Sequence, residues 1–391
     1  MDCLFVHDFR SYKNNGYIYT GNLSYDIWQN RYIKYFENIK VLNRSGEMKS
    51  NDTPNRYVKA SGDNITFLDD IDIFTPITFA RNYRKYKKII QRRVTESEYV
   101  IIRLDSFLGL IAANYCRHQK KKYLIEVVGC VWDSFWNKGI VGKLIAYPLF
   151  KVMQYEIKNA PYVVYVTEKF LQQRYPTKGK NTNISNVLLP KHDDAVIQNR
   201  LKHIKDIESD KEYIYEIVTV ASVSVRYKGQ DSVIRALNEL KKTDSRRYRY
   251  HLIGGGNNTY LLELSKKLGV EDNVVFHGNL KHDNVIEFLD KCDVYIQPSK
   301  QEGLPRALIE GMSRGMICMG TDIAGIPELL QPKMLFSTRR NNYKEIASKI
   351  SSLTSDDYKK QAIINFKEAQ KYENDILSKR RESFFTSFRD S

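Results

Sequence analysis

Short apolar runs of strand length recur along the chain, and they constrain its fold more than any other feature. The clearest of these runs span residues 99–104, 123–129 and 162–167. A strand that is apolar on both faces is typical of a parallel sheet covered by helices on each side. Stretches with helical spacing follow such strands in both halves of the chain, so the pattern predicts two doubly wound α/β domains.

The length of the chain agrees with two domains. Its 391 residues are too many for one ordinary core. Residues 1–195 are predicted to form an N-terminal domain, residues 196–370 a C-terminal domain, and residues 371–391 a final helix. The stretch from about 190 to 210 is charged and lacks a strand pattern, so the hinge between the domains is predicted there.

The composition limits the classes of partner and the location that are expected for the protein. A net charge of +16 favours an anionic partner, such as nucleic acid, an acidic lipid surface or a polyanionic substrate. No apolar run is long enough to span a membrane, and charge interrupts the N-terminal apolar residues too early for a secretory signal. A cytoplasmic protein is therefore predicted. The five cysteines are scattered without a Cys-x2-Cys pair, which predicts small buried residues rather than disulfides or a zinc site.

A basic stretch at residues 80–94 carries seven Lys and Arg side chains interleaved with Tyr83, Tyr86, Ile89 and Ile90. One interpretation is a solvated helix face. The other is a surface where basic and aromatic side chains meet anionic lipid headgroups, at the inner face of the cell membrane. The sequence leaves both interpretations open.

The most informative stretch is 295–315, whose pattern predicts the end of a strand, a tight loop and a helix starting near Gly303. The first turn of such a helix has free N–H groups and the positive end of the dipole, which suits a phosphate. Glu302 and Glu310 frame it. If the whole span were helical, they would lie roughly 12 Å apart along the axis, about the separation of two sugars across a pyrophosphate.

The segment from Glu302 to Glu310 reads Glu-Gly-Leu-Pro-Arg-Ala-Leu-Ile-Glu. It resembles the Glu-x7-Glu signature of the retaining glycosyltransferases of family 4. The resemblance implies the GT-B fold, with two facing Rossmann-like domains, parallel sheets and a C-terminal helix that returns to the first domain. It also implies that Glu302 holds the transferred sugar and Glu310 the ribose. Backbone groups around Gly303, Leu304 and Pro305 would then bind the diphosphate.

The same resemblance supplies further donor-binding candidates from loops that follow predicted strands. They are Gly16 with its neighbour Tyr17, Arg226, Lys228, Gly254, Asn279 and Leu280. Arg226 and Lys228 carry the positive charge that a diphosphate leaving group requires. The family commonly has an arginine where this chain has Ser222, and Arg226 is predicted to supply the missing guanidinium.

Acceptor contacts are predicted in the N-terminal half. The candidates are Asp105, Glu126, Trp132 and Asp133, which follow or end the apolar strands there. For Glu126, a hydrogen-bonded structural glutamate is the competing interpretation.

The predicted function is a retaining glycosyltransferase that moves a sugar from a nucleotide-diphosphate donor to a glycan or lipid-linked glycan. A UDP-sugar is favoured over a GDP-sugar, and the setting is bacterial surface polysaccharide assembly, such as O-antigen or capsule. No cofactor, no metal and no nucleic-acid partner are predicted, and the leaving phosphate itself is implied to take the acceptor proton. Two alternatives stay open: a sugar-nucleotide epimerase of similar fold, and a non-enzymatic basic scaffold that binds a polyanion.

Overall fold

The computed structural model describes residues 1–21, 23–48, 57–136, 139–210 and 212–391. The chain forms two compact units. The first contains Met1–Ile184 together with Ser378–Ser391, and the second contains Ser185–Leu377. The division therefore falls upstream of position 195, and the segment 190–210 that was predicted as a hinge contains a helix of the second unit.

The first unit is built from nine strands among its described residues. They are β1 (Asp2–Asn14), β2 (Tyr17–Thr20), β3 (Asn38–Glu47), β4 (Val58–Lys59), β5 (Ile65–Leu68), β6 (Tyr99–Leu104), β7 (Tyr123–Val127), β8 (Tyr162–Tyr165) and β9 (Lys180–Asn183). Its helices are α1 (Tyr25–Trp28), which continues as one π-helical turn over Gln29–Ile33, α2 (Pro76–Glu96), α3 (Phe107–His118), α4 (Val131–Trp136), α5 (Gly139–Lys158) and α6 (Phe170–Arg174).

Seven of these strands form a parallel sheet in the order β5-β3-β1-β6-β7-β8-β9. Every residue of β6, β7 and β8 is buried. That burial explains why these strands are apolar without alternation, since helices cover both faces of the sheet.

The residues after the first apolar strand have a polar pattern that predicts a loop over residues 8–22, but the described part of this stretch is mostly strand. β1 continues to Asn14 and pairs antiparallel with β2. Asn15 and Gly16, with φ of 48° and 77°, form the turn of this hairpin, as expected for a two-residue turn that needs positive φ. The prediction missed it because the second half of β1 is polar.

The last helix, α14 (Asn374–Arg389), carries the chain back to the first unit. Phe385 is fully buried there among the rings of Tyr32, Tyr35 and Phe36. Phe384 contacts the ring of Tyr162. The return of the C-terminal helix, which the family resemblance implied, is confirmed, and Phe384 and Phe385 pack there against aromatic rings.

The second unit has six strands among its described residues, all parallel. They are β10 (Ile214–Val220), β11 (Arg247–Ile253), β12 (Val274–Gly278), β13 (Val294–Gln297), β14 (Ile317–Thr321) and β15 (Leu335–Phe336), in the order β12-β11-β10-β13-β14-β15. The helices are α7 (Asp194–Ser209), α8 (Gln230–Thr243), α9 (Thr259–Lys267), α10 (His282–Asp290), α11 (Arg306–Ser313), α12 (Asn342–Ser351) and α13 (Ser355–Ala369).

Helix α11 begins at Arg306, with Pro305 as its N-cap residue, rather than near Gly303 as predicted. Proline fixes its own φ and cannot donate an N–H, so it commonly stands at a helix start. The span from Glu302 to Glu310 is therefore partly loop, and the axial separation expected for a continuous helix does not apply.

None of the helices in the described residues combines the length and the apolar character needed to cross a bilayer. All five cysteines are buried and unpaired, as predicted.

Candidate active site

The loops that follow β10, β11, β12 and β13 leave the second sheet at one edge, because parallel strands all end on the same side. These loops carry the candidates Lys228, Gly254, Asn279 and Glu302. The topology thus gathers on one edge side chains that are far apart in the sequence.

The loops after β10 and β13 are in direct contact. The Lys300 N–H donates to the Tyr227 carbonyl at 2.7 Å. Gly229 has φ of 74°, and a Cβ at this position would lie 1.9 Å from the Pro298 carbonyl oxygen. Only glycine fits such a close approach with positive φ, so Gly229 allows the two loops to pack against each other.

Glu302 lies at this contact and has a dense set of hydrogen-bond donors. Its Oε1 accepts from Lys228 Nζ at 2.6 Å, from Ser299 Oγ at 2.7 Å and from Gln297 Nε2 at 3.0 Å. The carboxylate side chain is only 12% exposed. Charge-assisted bonds of this kind hold a carboxylate in one orientation. Among the described residues all three bonds end on Oε1, which leaves Oε2 to accept hydroxyls from a ligand.

The side chains that orient Glu302 are themselves buried. Gln297 and Ser299 are fully covered, and Gln297 accepts a hydrogen bond from the Tyr295 hydroxyl at 2.8 Å. Burial raises the pKa of Tyr295, which keeps its hydroxyl protonated as a donor. Sequence reasoning did not single out Gln297 and Ser299, although both lie within the stretch 295–315. The available signal was the amide of Gln297, which ends an apolar strand five residues before the candidate carboxylate Glu302.

Glu310 lies in the middle of α11 on a partly exposed face. Burial raises the pKa of its carboxyl above the usual range, while His282 and Arg306 act in the opposite direction. A partly desolvated carboxylate is a strong acceptor for hydroxyl groups, so its environment fits the ribose contact predicted for it.

The glycine-rich turn after β11 is tied to its neighbours through the backbone. The Gly254 N–H donates to the Gly278 carbonyl at 2.8 Å, and a Cβ on Gly254 would lie 2.2 Å from the Ala221 carbonyl oxygen. A Cβ on Gly255 would lie 2.6 Å from the Asn279 amide group. The turn at Gly254 is therefore packed between the start of the loop after β10 and the loop after β12, which carries Asn279 and the adjoining Leu280.

Arg226 and Ser222 lie in the same loop and contact different residues outside it. Ser222 donates to the Gly255 carbonyl at 3.0 Å. The exposed Arg226 guanidinium lies over the ring of Tyr260, 3.8 Å from its centroid. A ring beneath a guanidinium fixes its plane and leaves its N–H groups available at the edges.

The acceptor candidates of the first unit have different surroundings. Glu126 is buried, accepts from Tyr32 at 2.9 Å and forms an ion pair with Arg103 at 2.8 Å. These contacts fit the structural interpretation of Glu126. Asp105 directly follows β6 and accepts from Ser134 Oγ at 3.5 Å.

The other two acceptor candidates lie on α4. Trp132 stacks on Trp136 with ring centroids 5.0 Å apart. Asp133 lies 3.7 Å from Arg174, and burial raises the pKa of its carboxyl. These two side chains and Asp105 follow the carboxyl ends of β6 and β7, whereas Glu126 lies within β7.

Two other features of the described residues bear on ligands. A cavity of about 720 Å³ in the second unit lies between the segment 188–193, α10 and α13, and Ser313 and Arg314 at the end of α11 also line it. Groups of three or more His, Cys, Asp or Glu side chains arranged to hold a metal ion are absent from the part of the chain that the structure describes.

The sequence of this chain matches a known protein family. Residues 201–370 match the model of the family described as glycosyl transferases group 1. Protein CapJ of Staphylococcus aureus is 30% identical over 344 residues, which cover 87% of this chain and 83% of that protein. The N,N'-diacetylbacillosaminyl-diphospho-undecaprenol alpha-1,3-N-acetylgalactosaminyltransferase of Campylobacter jejuni is 20% identical over 317 residues, 78% of this chain and 80% of that protein.

A solved structure shares the architecture. The crystal structure of HepE from Anabaena in complex with UDP-glucose matches with a TM-score of 0.63 and 15% identity, covering 99% of this chain and all of that chain. The fold of this chain is therefore GT-B, the architecture of a large class of sugar-transferring enzymes. The chain belongs to the glycosyl transferases group 1 family and is a glycosyltransferase.

Proposed function

We propose that the chain is a retaining glycosyltransferase that uses a nucleotide-diphosphate sugar and extends a glycan or lipid-linked glycan in bacterial surface polysaccharide assembly. The Campylobacter relative is named for a diphospho-undecaprenol acceptor, and the HepE structure contains UDP-glucose. These names favour a lipid-linked acceptor and a UDP-sugar, with a GDP-sugar as the other donor.

The observation that carries the proposal is the network around Glu302. Lys228, Ser299 and Gln297 converge on one carboxylate oxygen at the edge where the sheet ends. In this proposal, the second oxygen would accept hydroxyls of the transferred sugar. Glu310, in the helix α11 that follows this loop, would accept the ribose hydroxyls. Gly254, Asn279 and Leu280 would border the nucleotide.

The diphosphate would lie between the two carboxylates. Lys228 and Arg226 would supply positive charge, and the backbone around Gly303, Leu304 and Pro305 would contribute close contacts. Since α11 begins at Arg306, its free first-turn N–H groups belong to Arg306, Ala307 and Leu308. These three groups join the proposed anion site.

In the proposed reaction, the bond between the anomeric carbon and the phosphate oxygen breaks, and a bond from that carbon to the acceptor hydroxyl forms on the same face. The acceptor proton moves to the leaving phosphate, so no side chain is needed as a base. Lys228 stabilises the charge that develops on the phosphate. In this proposal, Asp105, Trp132 and Asp133 of the first unit contact the acceptor, whereas Glu126 acts through its ion pair with Arg103.

The test is donor binding and hydrolysis across a panel of UDP- and GDP-sugars, with Glu302→Ala and Glu310→Ala beside the wild type. We expect one donor to be selected, and we expect each substitution to lower the affinity for that donor at least tenfold, about 1.4 kcal/mol. Glu263→Ala, an exposed residue of α9, is the matched control and should behave as wild type.

The products separate the alternatives. NMR of the reaction should show release of the nucleoside diphosphate and a retained anomeric configuration in the sugar that is transferred. Conversion of the donor into its epimer with the diphosphate intact would instead support the epimerase. Absence of binding to every sugar nucleotide, with no effect of either substitution, would overturn the proposal.

A further inference from the structure

Helix α5 of the first unit has an exposed face that is apolar. The side chains of Ile140, Val141 and Leu144 are 80%, 68% and 73% exposed. Ile145, Tyr147, Val152 and Tyr155 are also exposed. A surface helix normally turns polar residues to water, and one that is apolar all round is normally covered. The exposed side of α5 therefore has the character of a docking surface.

The charge around this face is positive. The exposed face of α5 includes Lys143 and Lys151, whose Nζ atoms lie 5.1 Å and 5.6 Å from the ring centroids of Trp136 and Tyr147. The single acidic residue of α5 is Glu156, which is buried and paired with Arg117 at 3.0 Å. Lysine beside aromatic rings, at the border of an apolar stripe, is typical of the membrane interface.

Helix α2 adds a second set of cations. Its exposed side chains Arg81, Arg84, Lys85, Lys87 and Lys88 have no carboxylate within 4.0 Å among the described residues. Tyr86, Ile90 and Val94 face the core, so the predicted basic stretch is indeed exposed on one side of an amphipathic helix. Unpaired exposed cations are free to meet anionic headgroups.

The two helices border a common groove on the surface of α3. This cavity of about 360 Å³ is lined by Phe79 and Tyr83 of α2, Phe107, Leu110 and Ile111 of α3, and Val152 of α5. Lys87 lies at the same groove. The polar members of the lining are Gln91, Asn114, Tyr115 and Glu156, of which Glu156 is paired with Arg117. The six apolar and aromatic side chains offer a surface for an acyl chain, and Lys87 offers a cation for an anionic headgroup.

We propose that the face of the first unit formed by α2, α3 and α5 docks on an anionic lipid bilayer. The apolar side of α5 enters the boundary between headgroups and acyl chains, α2 contacts the headgroups, and the groove accepts an acyl chain. A second copy of the chain fits less well. In a symmetric dimer the same patch meets itself, which would bring the cations of α2 in one copy close to those in the other.

The experiment is co-sedimentation of the full chain with vesicles, without any sugar nucleotide. One set of vesicles is phosphatidylcholine, and the other contains phosphatidylglycerol as well. The variants are Ile140→Glu/Leu144→Glu on α5 and Arg84→Glu/Lys88→Glu on α2. The control is Ile363→Glu, an apolar side chain of α13 in the second unit that is 53% exposed.

We expect the wild type and the Ile363→Glu control to sediment with the anionic vesicles and to remain in solution with the neutral ones. Both double variants should lower the partition coefficient at least tenfold. Circular dichroism and UDP-glucose affinity should be unchanged in them, which separates docking from folding and from the proposed donor site.

Three results would overturn the docking proposal. The wild type could stay in solution with anionic vesicles, it could bind neutral vesicles equally well, or the α5 variant could bind as well as the wild type. Light scattering tests whether a second copy of the chain covers this face instead. A wild-type dimer that the α5 substitutions convert to a monomer, with no vesicle binding, would assign the face to a second copy.

Discussion

Lys228 and Glu302 form an ion pair of 2.6 Å with limited exposure of both side chains, 21% and 12%. A pair this sheltered from water is stronger than one on an open surface. The two residues have different proposed ligands, since Lys228 would bind phosphate and Glu302 would bind sugar. The two roles can be separated by a ligand that has the diphosphate and no sugar.

Replacing Lys228 with alanine should therefore weaken the binding of UDP itself. A charge-assisted hydrogen bond contributes about 1.5–3 kcal/mol, so we expect affinity for UDP to fall at least tenfold by calorimetry. Glu302→Ala should leave UDP affinity near wild type and weaken only the UDP-sugar. Lys267→Ala, at the exposed end of α9, is the control. Equal loss of UDP in the Lys228 and Glu302 variants would contradict the separate roles.

Glu310 should give donor binding a dependence on pH. Burial raises the pKa of its carboxyl, so as pH falls it becomes protonated earlier than an ordinary glutamate, which titrates near pH 4.3. The protonated group loses acceptor capacity, and the affinity for the donor that the panel selects should fall with it. The diphosphate of a nucleotide sugar stays fully charged over this range.

Calorimetry from pH 7 down to pH 4.5 checks this expectation. Glu310→Gln cannot titrate and should show weaker but nearly constant affinity across the same range. An identical pH dependence in wild type and Glu310→Gln would assign the titration to another group.

Among the structural elements, the loop between β10 and α8 depends on one glycine. Gly229→Ala would place a methyl group against the Pro298 carbonyl as well as imposing positive φ on alanine. Gly269 also has positive φ, 62°, but nothing lies within 4 Å of a Cβ there. The two substitutions therefore separate backbone strain from steric overlap.

We expect Gly269→Ala to cost about 1–2 kcal/mol, the strain of a left-handed alanine, and Gly229→Ala to cost more. Thermal unfolding followed by circular dichroism measures both. Gly229→Ala should also weaken donor binding, because the loops that carry Lys228 and Glu302 must move apart. Equal melting temperatures for the two variants would contradict the close packing.

The C-terminal helix α14 stabilises the first unit through its aromatic side. Phe385 is fully buried against three aromatic rings, whereas Phe384 is only partly covered. Phe385→Ala should cost about 3–5 kcal/mol, the usual range for a buried phenylalanine. Phe384→Ala is the matched control and should cost clearly less. Thermal or urea unfolding compares them, and a reversed order would show that α14 does not dock through Phe385.

For the whole molecule, the proposed chemistry depends on protein cations at the diphosphate. Lys228 and Arg226 would neutralise the leaving group, so we expect glycosyl transfer to continue after dialysis against EDTA. A control enzyme that needs Mg²⁺ should stop under the same conditions. Loss of activity that returns with added Mg²⁺ or Mn²⁺ would show that a metal belongs to the site.

Much of this molecule was predictable because the relevant signals are local. Apolar runs indicated buried parallel strands, and the structure contains them at β6, β7 and β8. The helical pattern of the last residues indicated a final helix, and the family resemblance implied its return to the first unit, where the structure places it. The motif from Glu302 to Glu310 indicated the family, which the comparisons confirm.

Other features required the tertiary structure. The second half of β1 is polar, and it is a strand because β2 and β3 supply its hydrogen-bond partners. Glu126 lies in an apolar run, but Arg103 and Tyr32 decide that it is a buried ion pair. Local periodicity carries no information about such partners.

The sequence by itself therefore determined the fold class, the family and the residue types at the proposed donor edge. These depend on composition and spacing within short segments. The tertiary structure alone decided that Lys228 reaches Glu302 across 74 residues, that Gln297 and Ser299 orient it, and that α5 leaves an apolar face exposed. Those outcomes depend on which segments pack together, and that is set by the free energy of the whole chain.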